Sequence, residues 1–266
     1  MDYPKAIHIE TTGRCNSKCK FCPHDRSPRK NMDMSPQLFN KILRESESIP
    51  KDFVWSPFKL GEPTLDPWFS KRLLQVDSQL PHAVIEIHTN LNHLPKDLIP
   101  ALRKIRRVTH FWVSLNHCTA EDYREETGLD FIKTVKNIQK LVESDQPHKV
   151  NIGRVATYSE QDNVWMAWVK SNFPTVFPAL IARGDWCDNI GYPLRITPPG
   201  TCDRTKEISI CCDGRVSLCC MDGLCEYPLG DVSKQHLLEV FNNPQSTQMR
   251  QMTERVRKPC STCTFI

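Results

Sequence analysis

Hydrophobic and polar positions alternate in short bursts along the first two-thirds of this chain, and stretches with helical spacing lie between the bursts. Residues 6–10, Ala-Ile-His-Ile-Glu, read as a first strand. Ser35-Pro36 opens a helix by the cap-then-proline rule, with Leu38, Phe39, Ile42 and Leu43 on one face. Further strands are predicted over residues 53–60, 83–88, 111–115, 150–158 and 175–182. Helices are predicted over 98–105 and over 131–142, where Ile132, Val135, Ile138, Leu141 and Val142 share a face. Such alternation favours a parallel sheet, open or wrapped into a partial barrel. In barrels the chemistry gathers at the C-terminal strand ends. Polar clusters fall there: a cysteine loop after the first strand, Gly61-Glu62-Pro63, Thr89-Asn90, Ser114 and Arg154.

Composition narrows the class. The 266 residues, 39% hydrophobic, suit one ordinary domain or a larger core with a small appendage, and need no cross-links to fold. A net charge of +4 is too mild to require a nucleic-acid or anionic-membrane partner. No apolar run approaches the roughly 20 residues of a membrane span. Met1-Asp2-Tyr3-Pro4-Lys5 does not read as a secretory signal, so a cytoplasmic location with reduced thiols is expected. Thirteen cysteines there read as metal ligands or reactive thiols.

Those cysteines are unevenly placed. Cys15, Cys19 and Cys22 form C-x3-C-x2-C, three thiols that can ligate one centre from a single loop. Iron–sulfur clusters normally take four thiolates, so three leave one iron open; zinc would need a fourth ligand, for which His24 is the near candidate. A second group, Cys202, Cys219, Cys260 and Cys263, follows C-x11-G-x4-C with a distal C-x2-C. It offers a complete cluster ligand set, or alternatively a zinc ribbon. Asp213-Gly214 signals a hairpin between residues 207–210 and 216–218, and a helix over 237–241 returns the chain toward Cys260. Cys219 fits the spacing better than its neighbour Cys220.

C-x3-C-x2-C after the first strand, with Phe21 before its last cysteine, resembles the radical S-adenosylmethionine (SAM) superfamily. The resemblance implies a partial (β/α)6 TIM-like barrel over residues 1–190, with Cys15, Cys19 and Cys22 holding a SAM-binding [4Fe–4S] cluster. It also implies SAM contacts from Gly61-Glu62-Pro63, Thr89-Asn90, Ser114 and Arg154, with Phe21 near the adenine; Leu60 stands where the family usually has a further glycine. The C-terminal pattern resembles the shorter "twitch" form of the SPASM module. That implies a hairpin-and-helix domain over residues 191–266 with one auxiliary [4Fe–4S] cluster on Cys202, Cys219, Cys260 and Cys263.

The short build with one auxiliary cluster resembles 2-deoxy-scyllo-inosamine dehydrogenases, enzymes of natural-product biosynthesis. The expectation is a radical SAM oxidoreductase that oxidises a secondary alcohol on a sugar or aminocyclitol, with the auxiliary cluster as electron acceptor. Arg183, Asp185 and Arg195 are candidate substrate contacts, and Cys187 or a spare thiol among Cys211, Cys212, Cys220 and Cys225 is a candidate hydrogen donor. A flavodoxin or ferredoxin would supply the first electron. The alternative is maturation of a ribosomally made peptide by epimerisation, cross-linking or oxidation; the short stretch before the first cysteine loop weighs against it. A non-catalytic metal- or nucleic-acid-binding module, using Lys18, Lys20, Arg26, Arg29 and Lys30, is a third reading.

Overall fold

The computed structural model describes residues 1–107, 109–191 and 199–264. The barrel portion runs β1 (Ala6–Ile9), α1 (Pro36–Ser46), β2 (Phe53–Ser56), α2 (Phe69–Gln79), β3 (Ala83–Thr89), α3 (Leu98–Leu102) and β4 (His110–Ser114). It continues through α4 (Ala120–Thr127), α5 (Phe131–Val142), β5 (Lys149–Val155), α6 (Glu160–Asn172) and β6 (Phe177–Ile181). Beyond it come β7 (Ile208–Ile210), β8 (Arg215–Ser217), β9 (Pro228–Asp231), α7 (Leu237–Phe241) and α8 (Pro244–Gln251). All strands join one sheet in the order β6-β5-β4-β3-β2-β1-β7-β8-β9. The pairs from β6 to β7 are parallel, and β7-β8-β9 form an antiparallel meander. The expected α/β fold, six parallel strands followed by a small antiparallel region, is the one observed.

Local rules account for the elements. Ser35 caps α1 by accepting from the Leu38 N–H at 3.1 Å, with Pro36 in the first turn, and Phe39, Ile42 and Leu43 are buried. β3 alternates fully and partly buried positions. Ala83, Ile85 and Ile87 enter the core; Glu86 and His88 occupy the opposite face. The same parity puts Ile7 and Ile9, Phe53 and Trp55, Phe111 and Val113, and Ile152 in the core. The other face of the sheet is thereby left to polar and aromatic residues. Gly214, at φ +94°, makes the left-handed corner between β7 and β8.

Some elements differ from expectation. Strand pairing at β2 ends at Ser56 because the Phe58 N–H turns back to the Ser56 carbonyl. β5 ends at Val155, before Tyr158 adopts φ +56°. Helices α2, α4, α6 and α8 are additional. α2 buries Phe69, Leu73 and Val76 at helical spacing, whereas α4 buries only Tyr123 and Thr127 and is otherwise largely charged. No helix among the described residues is long and apolar enough to cross a membrane.

Candidate functional site

The cysteine loop leaves β1 pressed against neighbouring backbone. A Cβ added at Gly13 would lie 2.0 Å from the Arg29 carbonyl oxygen, and one at Gly61 only 1.8 Å from that of Thr12. Only glycine allows either approach. The loop's far side is fastened to the end of α4, where the Thr127 carbonyl accepts from the Lys18 N–H at 2.7 Å and Ser17 Oγ at 2.8 Å. Ser17 also stands at the thiols: its Oγ is 2.8 Å from Cys19 Sγ, and its N–H donates to Cys15 Sγ at 3.4 Å. Cys15, Cys19 and Cys22 are partly exposed. Burial of the sulfur atoms pushes Cys19 up to about 11 and Cys22 up to about 12, and raises Cys15 further with Glu62 as the second cause. Three such thiols are a donor set that a thiophilic metal centre converts to thiolates. His24 Nε2 is bonded to the Gly13 carbonyl at 2.8 Å.

The two downstream motifs meet at one carboxylate. Buried Glu62 accepts from Thr89 Oγ1, from the Asn90 N–H at 2.7 Å, and from the Thr64 N–H and Oγ1 at 3.1 and 2.7 Å. Burial raises its pKa while these bonds lower it. Asn90 Nδ2 donates to Asn16 Oδ1 at 2.9 Å, which ties the pair to the cysteine loop. Pro63 begins a single 3-10 turn, Pro63–Leu65. Gly61, Glu62, Pro63, Thr89 and Asn90 are thus gathered beside Cys15. Ser114 lies two strands from β2, on the sheet face opposite Phe111 and Val113. Arg154 is not gathered there: it shares the helix-facing side of β5 with Ile152, 3.4 Å from Asp162 of α6 and over the Trp165 ring. The reason is parity, since Gly153 rather than Arg154 occupies the opposite face.

The second cysteine group surrounds a separate cleft. Its lining includes Cys202, Cys219, Cys260 and Cys263, with Met249 and Arg255 beside them. Cys202 precedes the 3-10 turn Asp203–Lys206, Cys219 follows β8, and Cys260 and Cys263 bound the turn after α8. Burial pushes Cys260 up to about 11. Four thiols around one cleft suit an iron–sulfur cluster. Cys187, from the loop behind β6, is a fifth thiol in the lining. It packs against Cys219 in the cleft wall, and the two thiols shift one another, Cys219 downward and Cys187 upward. Buried Asp185 accepts the Cys187 N–H at 3.2 Å. Arg183 is half-buried just before it, and Arg195 lies outside the described residues.

Cys220 points elsewhere. Its ligand atom lies with those of His8 and Glu207, all within 4.8 Å of one another. His8 Nε2 is 3.0 Å from Glu207, which Arg204 also binds at 3.0 Å. From His8 a ring series crosses the sheet through Phe58, His88 and Trp112, with centroids 5.8, 4.6 and 6.3 Å apart. His88 also bonds Glu86 at 2.9 Å. Sequence reasoning did not single out this polar and aromatic face. Its signal was the alternate positions of β1, β3 and β4, opposite the apolar ones.

Two cations of the basic loop are paired with carboxylates. Arg29 is buried, 2.7 Å from Glu10 and bonded to the Gly223 and Leu224 carbonyls, while Lys20 reaches Glu125 at 2.7 Å. Among the spare thiols, Cys211, Cys212 and Cys225 are buried.

A Radical SAM superfamily model matches residues 9–165, and the SPASM iron-sulfur cluster-binding domain matches residues 202–264. The first spans more than half of the chain, which belongs to the radical SAM superfamily. The protein is accordingly a radical SAM enzyme whose cofactors are SAM, a SAM-binding [4Fe–4S] cluster and an auxiliary cluster in the SPASM region. A curated relative from Pyrococcus furiosus, the tungsten-containing aldehyde ferredoxin oxidoreductase cofactor-modifying protein, is 24% identical over 168 residues. That match covers 52% of this chain and 46% of the relative, about half its length. Among solved structures, BtrN in complex with AdoMet and 2-DOIA is similar with a TM-score of 0.70 at 17% identity, covering 100% of this chain and 95% of BtrN. Streptococcus suis SuiB bound to precursor peptide SuiA gives 0.75 at 14% identity, covering 99% and 70%. At these identities the likeness is one of fold.

Proposed function

We propose that this enzyme oxidises a secondary alcohol on a sugar or aminocyclitol to a ketone. The observation that carries the reading is the second four-thiol cleft, joined through Cys187, Cys220 and Phe58 to the polar face holding His8, Glu86 and His88. A redox-neutral hydrogen abstraction needs no second centre, whereas a two-electron oxidation needs an acceptor for its last electron.

In this reading Cys15, Cys19 and Cys22 hold the first cluster. Gly61, Glu62, Pro63, Thr89, Asn90, Ser114 and Phe21 surround SAM, and Arg154 supports the site from behind through α6. Cys202, Cys219, Cys260 and Cys263 hold the auxiliary cluster. When bound, these groups would supply abstraction of one hydrogen atom from the carbinol carbon and an acceptor for one electron. The hydroxyl proton remains, and His8 is placed to take it. The Glu207 carboxylate holds the imidazole through Nε2, which leaves Nδ1, buried and without a hydrogen-bond partner among the described residues, as the basic nitrogen. Loss of one hydrogen atom, one proton and one electron balances the alcohol against the ketone. Arg183 and Asp185 are assigned to substrate positioning. The substrate is a small molecule, and the first electron comes from a flavodoxin or ferredoxin.

The test is to supply the anaerobically reconstituted enzyme with SAM, reductant and a panel of polyols and aminocyclitols. The expected result is a ketone formed one-for-one with 5′-deoxyadenosine. A panel on which 5′-deoxyadenosine forms without any ketone sinks the reading. One observation favours a second: Cys220 beside His8 and Glu207 is a thiol able to return a hydrogen atom to a substrate radical, as peptide epimerisation requires. That reading expects solvent deuterium in a peptide product and its loss in Cys220→Ala.

A further inference from the structure

The segment behind β6 is strained and tied at both ends. Trp186, Cys187 and Asp188 adopt φ of 52°, 56° and 72°, three consecutive non-glycine residues in the left-handed region. Side chains rarely accept that conformation singly, and a run of three persists only where the surroundings over-determine it. Here they do. Asp185 Oδ1 accepts the Cys187 N–H at 3.2 Å, and the Asp185 carbonyl accepts from Ile190 at 2.9 Å. On one side Trp186 Nε1 donates to the Phe21 carbonyl at 2.9 Å, and the Arg26 guanidinium to the Asn189 carbonyl, so the turn is held by the first cysteine loop. On the other, Asn189 Nδ2 donates to Glu226 at 2.7 Å, and a Cβ added at Gly223 would meet the Trp186 ring at 3.1 Å. The strained turn is therefore a strut between the two cysteine sites. What it delivers to the second is the Cys187 thiol, buried in the cleft wall against Cys219.

We infer that Cys187 is a positioning residue, not a ligand: its S–H donates to the Cys219 sulfur and thereby raises the reduction potential of the auxiliary cluster. The cleft already contains four thiols from the C-terminal region, which satisfy a cluster, and Cys187 is the fifth. A ligand sulfur that accepts a hydrogen bond carries less negative charge toward the iron, so the reduced, more negative state gains more than the oxidised one. A higher potential is what an electron acceptor for substrate oxidation needs. Because Trp186 hangs from the Phe21 carbonyl, the loop that carries the first cluster's ligands also sets the donor of the second. The inference rests on the assignment of Cys202, Cys219, Cys260 and Cys263 as the auxiliary ligands.

The experiment places Cys187→Ala and Cys187→Ser in a background lacking Cys15, Cys19 and Cys22, so that one cluster is observed. Iron and sulfide are counted after anaerobic reconstitution, and the cluster's midpoint is followed by an EPR-monitored redox titration. The expected result is unchanged iron, about four per chain, a midpoint shifted downward in Cys187→Ala, and partial return in Cys187→Ser, whose hydroxyl can still donate. Loss of the iron in both variants would make Cys187 a ligand and overturn the inference, as would an unmoved midpoint. Retention of all iron in Cys202→Ala and Cys260→Ala would instead overturn the ligand assignment, a failure visible without any substrate.

Discussion

In the first site three thiols come from one loop, and glycine contacts with adjacent backbone fix that loop. In the second, the thiols come from a segment before β7, the end of β8 and the turn after α8, with Cys187 added from behind β6. The first depends on local backbone geometry, and its three thiols fall within eight residues of one loop. The second depends on tertiary assembly, so the metal itself has more to hold together. The contrast teaches that two sites for similar clusters can have different weak points.

The largest expected effect separates the sites outright. Replacing Cys15, Cys19 and Cys22 together by Ala lowers iron from about eight to about four per chain and abolishes 5′-deoxyadenosine formation; equal loss at both sites would show that they do not load independently. Next is Gly61→Ala. Its Cβ would sit 1.8 Å from a backbone oxygen, an overpacking expected to cost about 1–3 kcal/mol or more in denaturant unfolding. Iron should fall at the first site alone. Iron removal by a chelator gives the third contrast: proteolysis should cut first within residues 252–264, whose Cys260 and Cys263 then lose their tie to Cys202 and Cys219. The loop from Cys15 to Cys22 should resist cutting longer.

The smallest effect concerns neither cluster. The His88 hydrogen bond, opposed by partial burial, holds the Glu86 carboxyl below its usual range. Its stabilisation is whole above the unfolded value of about 4.3 and is lost as pH falls through the lower folded value. With Glu86 about a third exposed, Glu86→Gln should change the acid limb of a stability–pH curve by less than about 1 kcal/mol, without altering iron content at neutral pH.

The same contrast explains what could be read from sequence. Strands were legible because their apolar residues alternate, and the first site because its cysteines are neighbours. The hairpin around Gly214 was legible from its turn chemistry, and α7 was anticipated over the observed residues. Helix α6 was hidden because it buries Asp162 with Trp165 and Val169, and so lacks a clean apolar stripe. Arg154 was read at a strand end without regard to face, and parity turned it toward α6. His8, Phe58, His88 and Trp112 lie on or beside different strands; only the parallel register brings their rings into a series. Nor does any glycine announce the left-handed turn at Trp186 to Asp188, whose conformation follows from contacts made far away in sequence.

One pairing bears on how the chain is made. β1 lies between β2 and β7, and β7 is translated about 200 residues after β1; at about 5–20 residues per second this takes about 10–40 s. Through that interval one edge of an apolar strand, bearing Ile7 and Ile9, has no neighbour and can pair with another nascent chain. Polypeptides released before residue 208 would keep that edge open and should aggregate, whatever their supply of iron.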